Sequence, residues 1–324
     1  DGVLRRTLAA GEFAVTAEIG PPRGASTAPV TRKAGLLAGW VHAVNITDNQ
    51  SASARLGGWA ACLAARDAGV EPIMQLTCRD RNRIALQSEL LAAGAAGIPN
   101  VLIMTGDHPR HGDHPDAAAV YDLDSTGLLA AARGMRDEGR LLSGRTLTPP
   151  PCWLLGAVTD LAPADVAVGR LAGKVAAGAQ FAQTQYVFDV PAFAGWLRQA
   201  GDAGLLDRCH VLAGVGPVLS PRALAHLGRV PGVLIPDAVA DRLSGAGGAG
   251  GEGGDRAGGE GGAGGDNKFR AAALELCAET IAALRELPGL SGIHVMAPAA
   301  EHVIPEVLAA AGVSPAAAHT GNRL

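Results

Sequence analysis

The chain has 324 residues, with 48% hydrophobic and 18% charged side chains, the balance of a globular protein able to bury a large core. A net charge of -4 and a pI near 6.1 leave no basic footprint for nucleic acid, and no apolar run approaches the length of a membrane span. Aromatics supply only 3%, so Ala, Val, Leu and Ile must fill the core. No secretory leader is visible, and the start at Asp1 without Met leaves the natural N-terminus open. The five cysteines, Cys62, Cys78, Cys152, Cys209 and Cys277, lie far apart with no C-x-x-C or Cys/His zinc spacing. Cys78, Cys152 and Cys209 fall on or beside strand-like runs. Free, buried thiols in a cytoplasmic protein are expected.

In chain order, Leu4 to Gly11 reads as a helical lead-in. Glu12 to Ile19 alternates apolar and polar residues, predicting a first strand with Glu18 near its end, stopped by Pro21 and Pro22. A helix over 27–39 and a strand over 41–47 follow. Ser51 or Ser53 is a candidate cap for the next helix, which ends at Ala68. Strands are then predicted over 71–78, 100–104, 153–159, 181–188, 210–215 and 293–297. Helices fill the gaps over 84–96, 124–140, 164–177, 191–203, 221–227, 268–285 and 299–311. Between Ala246 and Asp266 the pattern disappears. Thirteen of the twenty-one residues from Gly245 to Gly265 are glycine, too little apolar surface to offset ordering entropy. A flexible surface insertion over 245–265 is expected within a single domain spanning 1–324.

Eight strands alternating with helices predict a (β/α)8 TIM barrel. The alternative is an open doubly wound sheet, weakened because no G-x-G-x-x-G follows the first strand. In a barrel the strand C-terminal ends meet on one face. That rule gathers Glu18, Thr47, Gln75 to Cys78, Asp107, Gln185 and the region after Val295. The organising stretch is Ile103-Met104-Thr105-Gly106-Asp107-His108-Pro109, which sets a carboxylate just past a buried strand. Two carboxylates with amide and hydroxyl donors suit acid–base chemistry on a polar heterocycle. His108, His111, Asp113 and His114 share one Pro/Gly loop with no helix to fix their geometry, so no metal site is expected.

Four stretches carry a resemblance: Ala17-Glu18-Ile19-Gly20-Pro21-Pro22, Gln75-Leu76-Thr77-Cys78, Thr105-Gly106-Asp107, and Ala177-Gly178-Ala179 with Thr184-Gln185-Tyr186-Val187-Phe188-Asp189. In this order they resemble the methylenetetrahydrofolate reductase family. The runs Arg79-Asp80-Arg81-Asn82-Arg83 and Tyr121-Asp122-Leu123-Asp124 resemble the branch of modules fused to homocysteine methyltransferase domains, and related stand-alone reductases. The resemblance implies a flavin-containing barrel that reduces methylenetetrahydrofolate to methyltetrahydrofolate. It implies FAD in preference to FMN, with NAD(P)H as electron donor.

Glu18 then falls on the family's acid, which protonates the bridging nitrogen and opens the ring to an iminium. Asp107 falls on the aspartate near the flavin pyrimidine edge and the pterin. Thr47 would donate to the isoalloxazine, Gln185 would hold the pterin, and Lys174 and Ala179 would line the ribityl-phosphate and adenine side. Asp48, Gln75, Thr105, Gly106, Tyr121 and Asp122 complete the implied cofactor contacts. Three positions depart from the better-known pattern: Gln75 replaces a histidine, Thr105 an arginine, and Ala300 aligns near a substrate-contacting arginine. Arg79, Arg81 or Arg83 are candidates to restore phosphate contacts. The implied partners are a folate substrate and a nicotinamide or electron-transfer protein, with homo-oligomerisation left open. Two further readings are a folate- or flavin-binding subunit that depends on a separate electron-transfer partner, and a non-redox one-carbon methyltransferase on the same barrel.

Overall fold

The computed structural model describes residues 2–230, 232–247 and 261–315. Eight parallel strands, β1 (Ala14–Ile19), β2 (Ala43–Ile46), β3 (Pro72–Thr77), β4 (Asn100–Met104), β5 (Leu154–Thr159), β6 (Phe181–Tyr186), β7 (His210–Val215) and β8 (Gly292–Val295), pair in sequence order. β8 returns to β1 and closes the barrel. The chain is therefore a (β/α)8 barrel, and the open-sheet alternative is excluded by that closure. The helices on the outside are α2 (Ala28–Leu37), α3 (Gly58–Asp67), α4 (Arg83–Ala95), α5 (Ser125–Arg133), α6 (Ala164–Ala177), α7 (Val190–Asp202), α8 (Pro221–Leu227), α9 (Asp237–Gly247), α10 (Gly261–Arg285) and α11 (Ile304–Ala310).

The strand period of two sorts side chains between two compartments. Residues such as Val15, Ala17, Val44, Met74, Val101, Leu155 and Ala182 face the helices and join the main core. The alternate residues Ala14, Ala43, Ile73, Leu102, Leu154, Phe181 and Leu212 fill the lower barrel. The lead-in helix, α1 (Val3–Ala9), seals that end with Leu4 and Leu8. Glu71 fixes the plug by accepting from the amides of Val3 and Leu4, a carboxylate at a helix N-terminus. Phe181 occupies space that Gly156 on β5 leaves free, since a Cβ there would lie 2.2 Å from the Phe181 ring.

Several expectations are corrected. α3 begins at Gly58 behind Gly57, and neither Ser51 nor Ser53 caps it, because the preceding residues fold into a tight turn with Ser51 and Ala52 left-handed. Cys152 is exposed, lying in the proline-rich lead-in before β5, while the other four thiols are buried and all five are free. α9 went unread in the sequence. It packs through Leu243 against Val218, Phe269 and Ala273. The ends of the glycine-rich stretch close α9 and open α10. The remainder of the expected insertion, 248–260, lies outside the described residues.

Candidate active site

Above the apolar plug the inward positions of β1, β2, β3 and β6 turn polar. Each lies two residues past a plug residue: Thr16 after Ala14, Asn45 after Ala43, Gln75 after Ile73, Gln183 after Phe181. Asn45 on β2 and Gln183 on β6 exchange hydrogen bonds across the barrel, at 2.6 and 3.2 Å. Gln183 Nε2 also donates to Thr16 Oγ1 at 3.3 Å. The Thr16 hydroxyl donates to the Ile293 carbonyl at 3.2 Å, so its oxygen accepts from His294 Nδ1 at 3.0 Å. The network thereby assigns His294 the Nδ1–H tautomer and turns the Nε2 lone pair toward Glu18 Oε2, 4.0 Å away. Burial presses the His294 pKa down to about 3, so the ring is neutral.

Glu18 is the next inward residue above Thr16. Burial pushes its pKa up to about 7; a hydrogen bond from Gln75 pulls it back, and the nearby Glu301 carboxylate pushes it further up. Gln75 Nε2 donates to Glu18 Oε2 at 3.3 Å. Glu301 is itself buried and ion-paired to Lys33 at 2.6 Å.

The rim around Glu18 is built from loops. Gly106, at φ +84, lets the chain turn past Thr77 and Arg79, where a Cβ would come within 3.0 Å of the Thr77 Cβ. The turn brings out Asp107, which is exposed and whose carboxylate has no hydrogen bond or ion pair among the described residues. Between Gln183 and Tyr186 the pairing of β6 with β7 shifts register, an extra residue in β6. Gly214 N donates to Thr184 Oγ1, whose hydroxyl donates to the Gln185 carbonyl. Such a bulge re-aims side chains beside an active site. The Gln185 amide makes no hydrogen bond among the described residues. Thr47 is 3% exposed, yet among the described residues its Oγ1 has no partner, and Arg55 Nε in the same loop is likewise buried and without one. Among the described residues, the five non-glycine positions with left-handed φ, Asn49, Ser51, Ala52, Tyr121 and Ala299, all lie in loops at this end. Strain of this kind clusters at functional sites.

The methylenetetrahydrofolate reductase family model matches residues 3–249. The chain belongs to the methylenetetrahydrofolate reductase family. The family places it among folate-related oxidoreductases of one-carbon metabolism. No curated protein matches the chain. Among solved structures it is similar to an uncharacterised Clostridium thermocellum protein that binds two copies of 5-methyl-5,6,7,8-tetrahydrofolic acid. That likeness has a TM-score of 0.62 and 14% identity, over 97% of this chain and 98% of that one. An F420-dependent secondary alcohol dehydrogenase, in complex with an F420-acetone adduct, gives a TM-score of 0.52 and 11% identity, over 94% of this chain and 98% of that one. At such identities these two likenesses speak for the fold alone.

The family's flavin tests the remaining positions. The orphaned Thr47 hydroxyl and the free Asp107 carboxylate fit the polar edge of a flavin ring. Most of the other expected contacts are engaged within the protein. Asp48 receives the Thr77 amide and hydroxyl and a two-pronged Arg81 at 2.8 and 3.0 Å. Asp122 is clamped by Arg83, which holds its carboxyl below the usual range. Arg79 is spent on Asp80 and on the carbonyls of Asn49 and Asp107. The three arginines offered as phosphate contacts are thus each committed to a carboxylate. Thr105 donates to Ser125, Tyr121 donates to the Gly106 carbonyl, and Lys174 donates to the Val158 carbonyl at 2.5 Å. Burial lowers the Lys174 pKa. Ala179 is not brought to this face. It enters β6 from the opposite end of the barrel and is 2% exposed. Past β8, Ala300 leads into buried Glu301, so a carboxylate rather than an arginine faces the site.

Sequence reasoning passed over Thr16, Asn45, Gln183 and the Lys33–Glu301 pair. The signal was present for the first three: each precedes an expected rim residue by two, the inward period of a strand. No helix among the described residues is long and apolar enough to cross a membrane.

Proposed function

We propose that the chain catalyses flavin-dependent reduction of 5,10-methylenetetrahydrofolate to 5-methyltetrahydrofolate, with FAD as the flavin and NAD(P)H as the donor. The observation that carries this reading is Glu18, a half-buried strand-end carboxyl whose pKa its surroundings push up to about 7. A neutral aminal accepts hydride poorly, whereas a protonated one opens to an iminium. Glu18 holds the proton for that opening at the pH where a solvent-exposed glutamate would already be ionised. Asp107 then offers an uncompensated negative charge to the cationic carbon. Gln185 has a free amide for the pterin, and Thr47 a free hydroxyl for the flavin ring. The chemistry a bound flavin supplies here is hydride donation. A folate site on this scaffold has support from the Clostridium thermocellum protein, which binds 5-methyl-5,6,7,8-tetrahydrofolic acid.

The committed arginines favour keeping a second reading, a folate- and flavin-binding subunit reduced by a separate electron-transfer protein. The purified chain, given flavin, reduced nicotinamide and methylenetetrahydrofolate, is expected to form methyltetrahydrofolate with stoichiometric nicotinamide oxidation. Product only with an added electron carrier would favour the subunit. A colourless protein that takes up neither FAD nor FMN would overturn both.

A further inference from the structure

We infer that Gln75 is a positioning residue for Glu18, one that holds the inner carboxyl oxygen as an acceptor and so puts the transferable proton on the outer one. The inference rests on the reading of Glu18 as the acid. Gln75 stands where the family resemblance leads one to expect a histidine, and its amide turns to Glu18.

The geometry is specific. Gln75 is 6% exposed on a strand whose six residues are all buried, so its stem is rigidly placed. Its Nε2 donates to Glu18 Oε2 at 3.3 Å. A carboxyl oxygen that accepts this N–H is stabilised as the carbonyl oxygen of the neutral acid. The hydroxyl then falls on Oε1, which has no hydrogen bond among the described residues. His294 Nε2 also faces Oε2 and, as a lone pair, would draw the proton inward; at 4.0 Å it lies beyond hydrogen-bond reach. Gln75 therefore decides between an inward and an outward proton. An amide suits the task because it has no charge of its own at any working pH.

The other groups around Glu18 are accounted for. Glu301, from the loop after β8, repels the carboxylate and is paired to Lys33 on α2. His294 on β8 is neutral. Tyr186 on β6 has its phenol raised above the ordinary range by burial and by Glu18, and it donates to the Met296 carbonyl. Apart from Gln75, none of these supplies a hydrogen bond to Glu18.

Gln75→Met keeps an unbranched stem of similar size and removes the donor; Gln75→Leu serves if the methionine variant does not fold. The test is a pH titration of 13C-glutamate-labelled protein by NMR, with the Glu18 signal assigned by its loss in Glu18→Gln. The parent carboxyl is expected to titrate near neutrality. In Gln75→Met the midpoint should rise by about one pH unit, a tenfold gain in proton affinity. Turnover with methylenetetrahydrofolate should fall in kcat with little change in KM, since a misplaced proton slows the step without weakening binding. An unmoved midpoint in a folded variant would overturn the inference and leave Gln75 a packing residue. A parent midpoint in the ordinary carboxylate range would instead overturn the reading of Glu18 as the acid, whatever Gln75 does.

Discussion

Glu18 near the end of β1 and Asp48 just past the end of β2 meet burial with different partners. Asp48 is 7% exposed but receives four hydrogen bonds, two of them from Arg81, and is tied into the scaffold. Glu18 receives one weak bond and keeps its proton instead. The difference in partners separates a structural carboxylate from a reactive one. Arg81→Met should therefore cost about 3 kcal/mol in urea denaturation, because it strands a buried charge. A loss within about 0.5 kcal/mol would show that the pair is solvated. At this scale the sequence was informative about position and silent about partnership. Glu18, Asp107 and Gln185 were legible because strand ends converge. That Arg79, Arg81 and Arg83 each answer a carboxylate was not, since side-chain pairing within loops follows from tertiary contacts that no period encodes.

Strand β6 shows what an element contributes. Its first inward residue, Phe181, plugs the barrel, Gln183 ties the polar layer together, and the bulge after it frees the Gln185 amide. Phe181 fits because β5 carries Gly156 opposite it. Gly156→Ala is expected to destabilise by about 1–3 kcal/mol through overpacking, and Phe181→Ala by about 3–5 kcal/mol through the cavity it leaves. Thermal denaturation of both variants checks this. Additive losses in the double variant would argue that the two residues do not share one space. Alternation made the strands readable to within a few residues, and the bulge was hidden because one extra residue leaves the apolar pattern of Phe181 to Phe188 intact. α9 escaped because, among its described side chains, only Leu243 is fully buried.

Across the whole molecule the barrel is layered, with an apolar plug, a polar belt and a reactive rim, and two inward-facing titratable groups oppose each other in its pH response. His294 has a folded pKa near 3 against 6.5 when free, so folding loses stability as pH falls through that window. Glu18 runs the other way. Below pH 4.5 both states hold its proton; from 4.5 to about 7 only the unfolded state ionises, so stability falls as pH rises. Above that window the cost reaches on the order of 3 kcal/mol. Glu18→Gln should accordingly melt with the parent near pH 4.5 and on the order of 5–10 °C above it at pH 8. Equal melting temperatures at both pH values would mean that Glu18 is not held neutral by the fold.

The central claim, that Glu18 delivers the proton that makes the folate reducible, is tested most directly by stopped-flow absorbance of the bound flavin, each half-reaction run separately. Only the folate half needs the proton. Glu18→Gln is expected to bind flavin and to be reduced by the donor at a near-parental rate, while reoxidation by methylenetetrahydrofolate slows by about 10²–10⁴-fold. Reoxidation of Glu18→Gln at the parental rate would contradict the account.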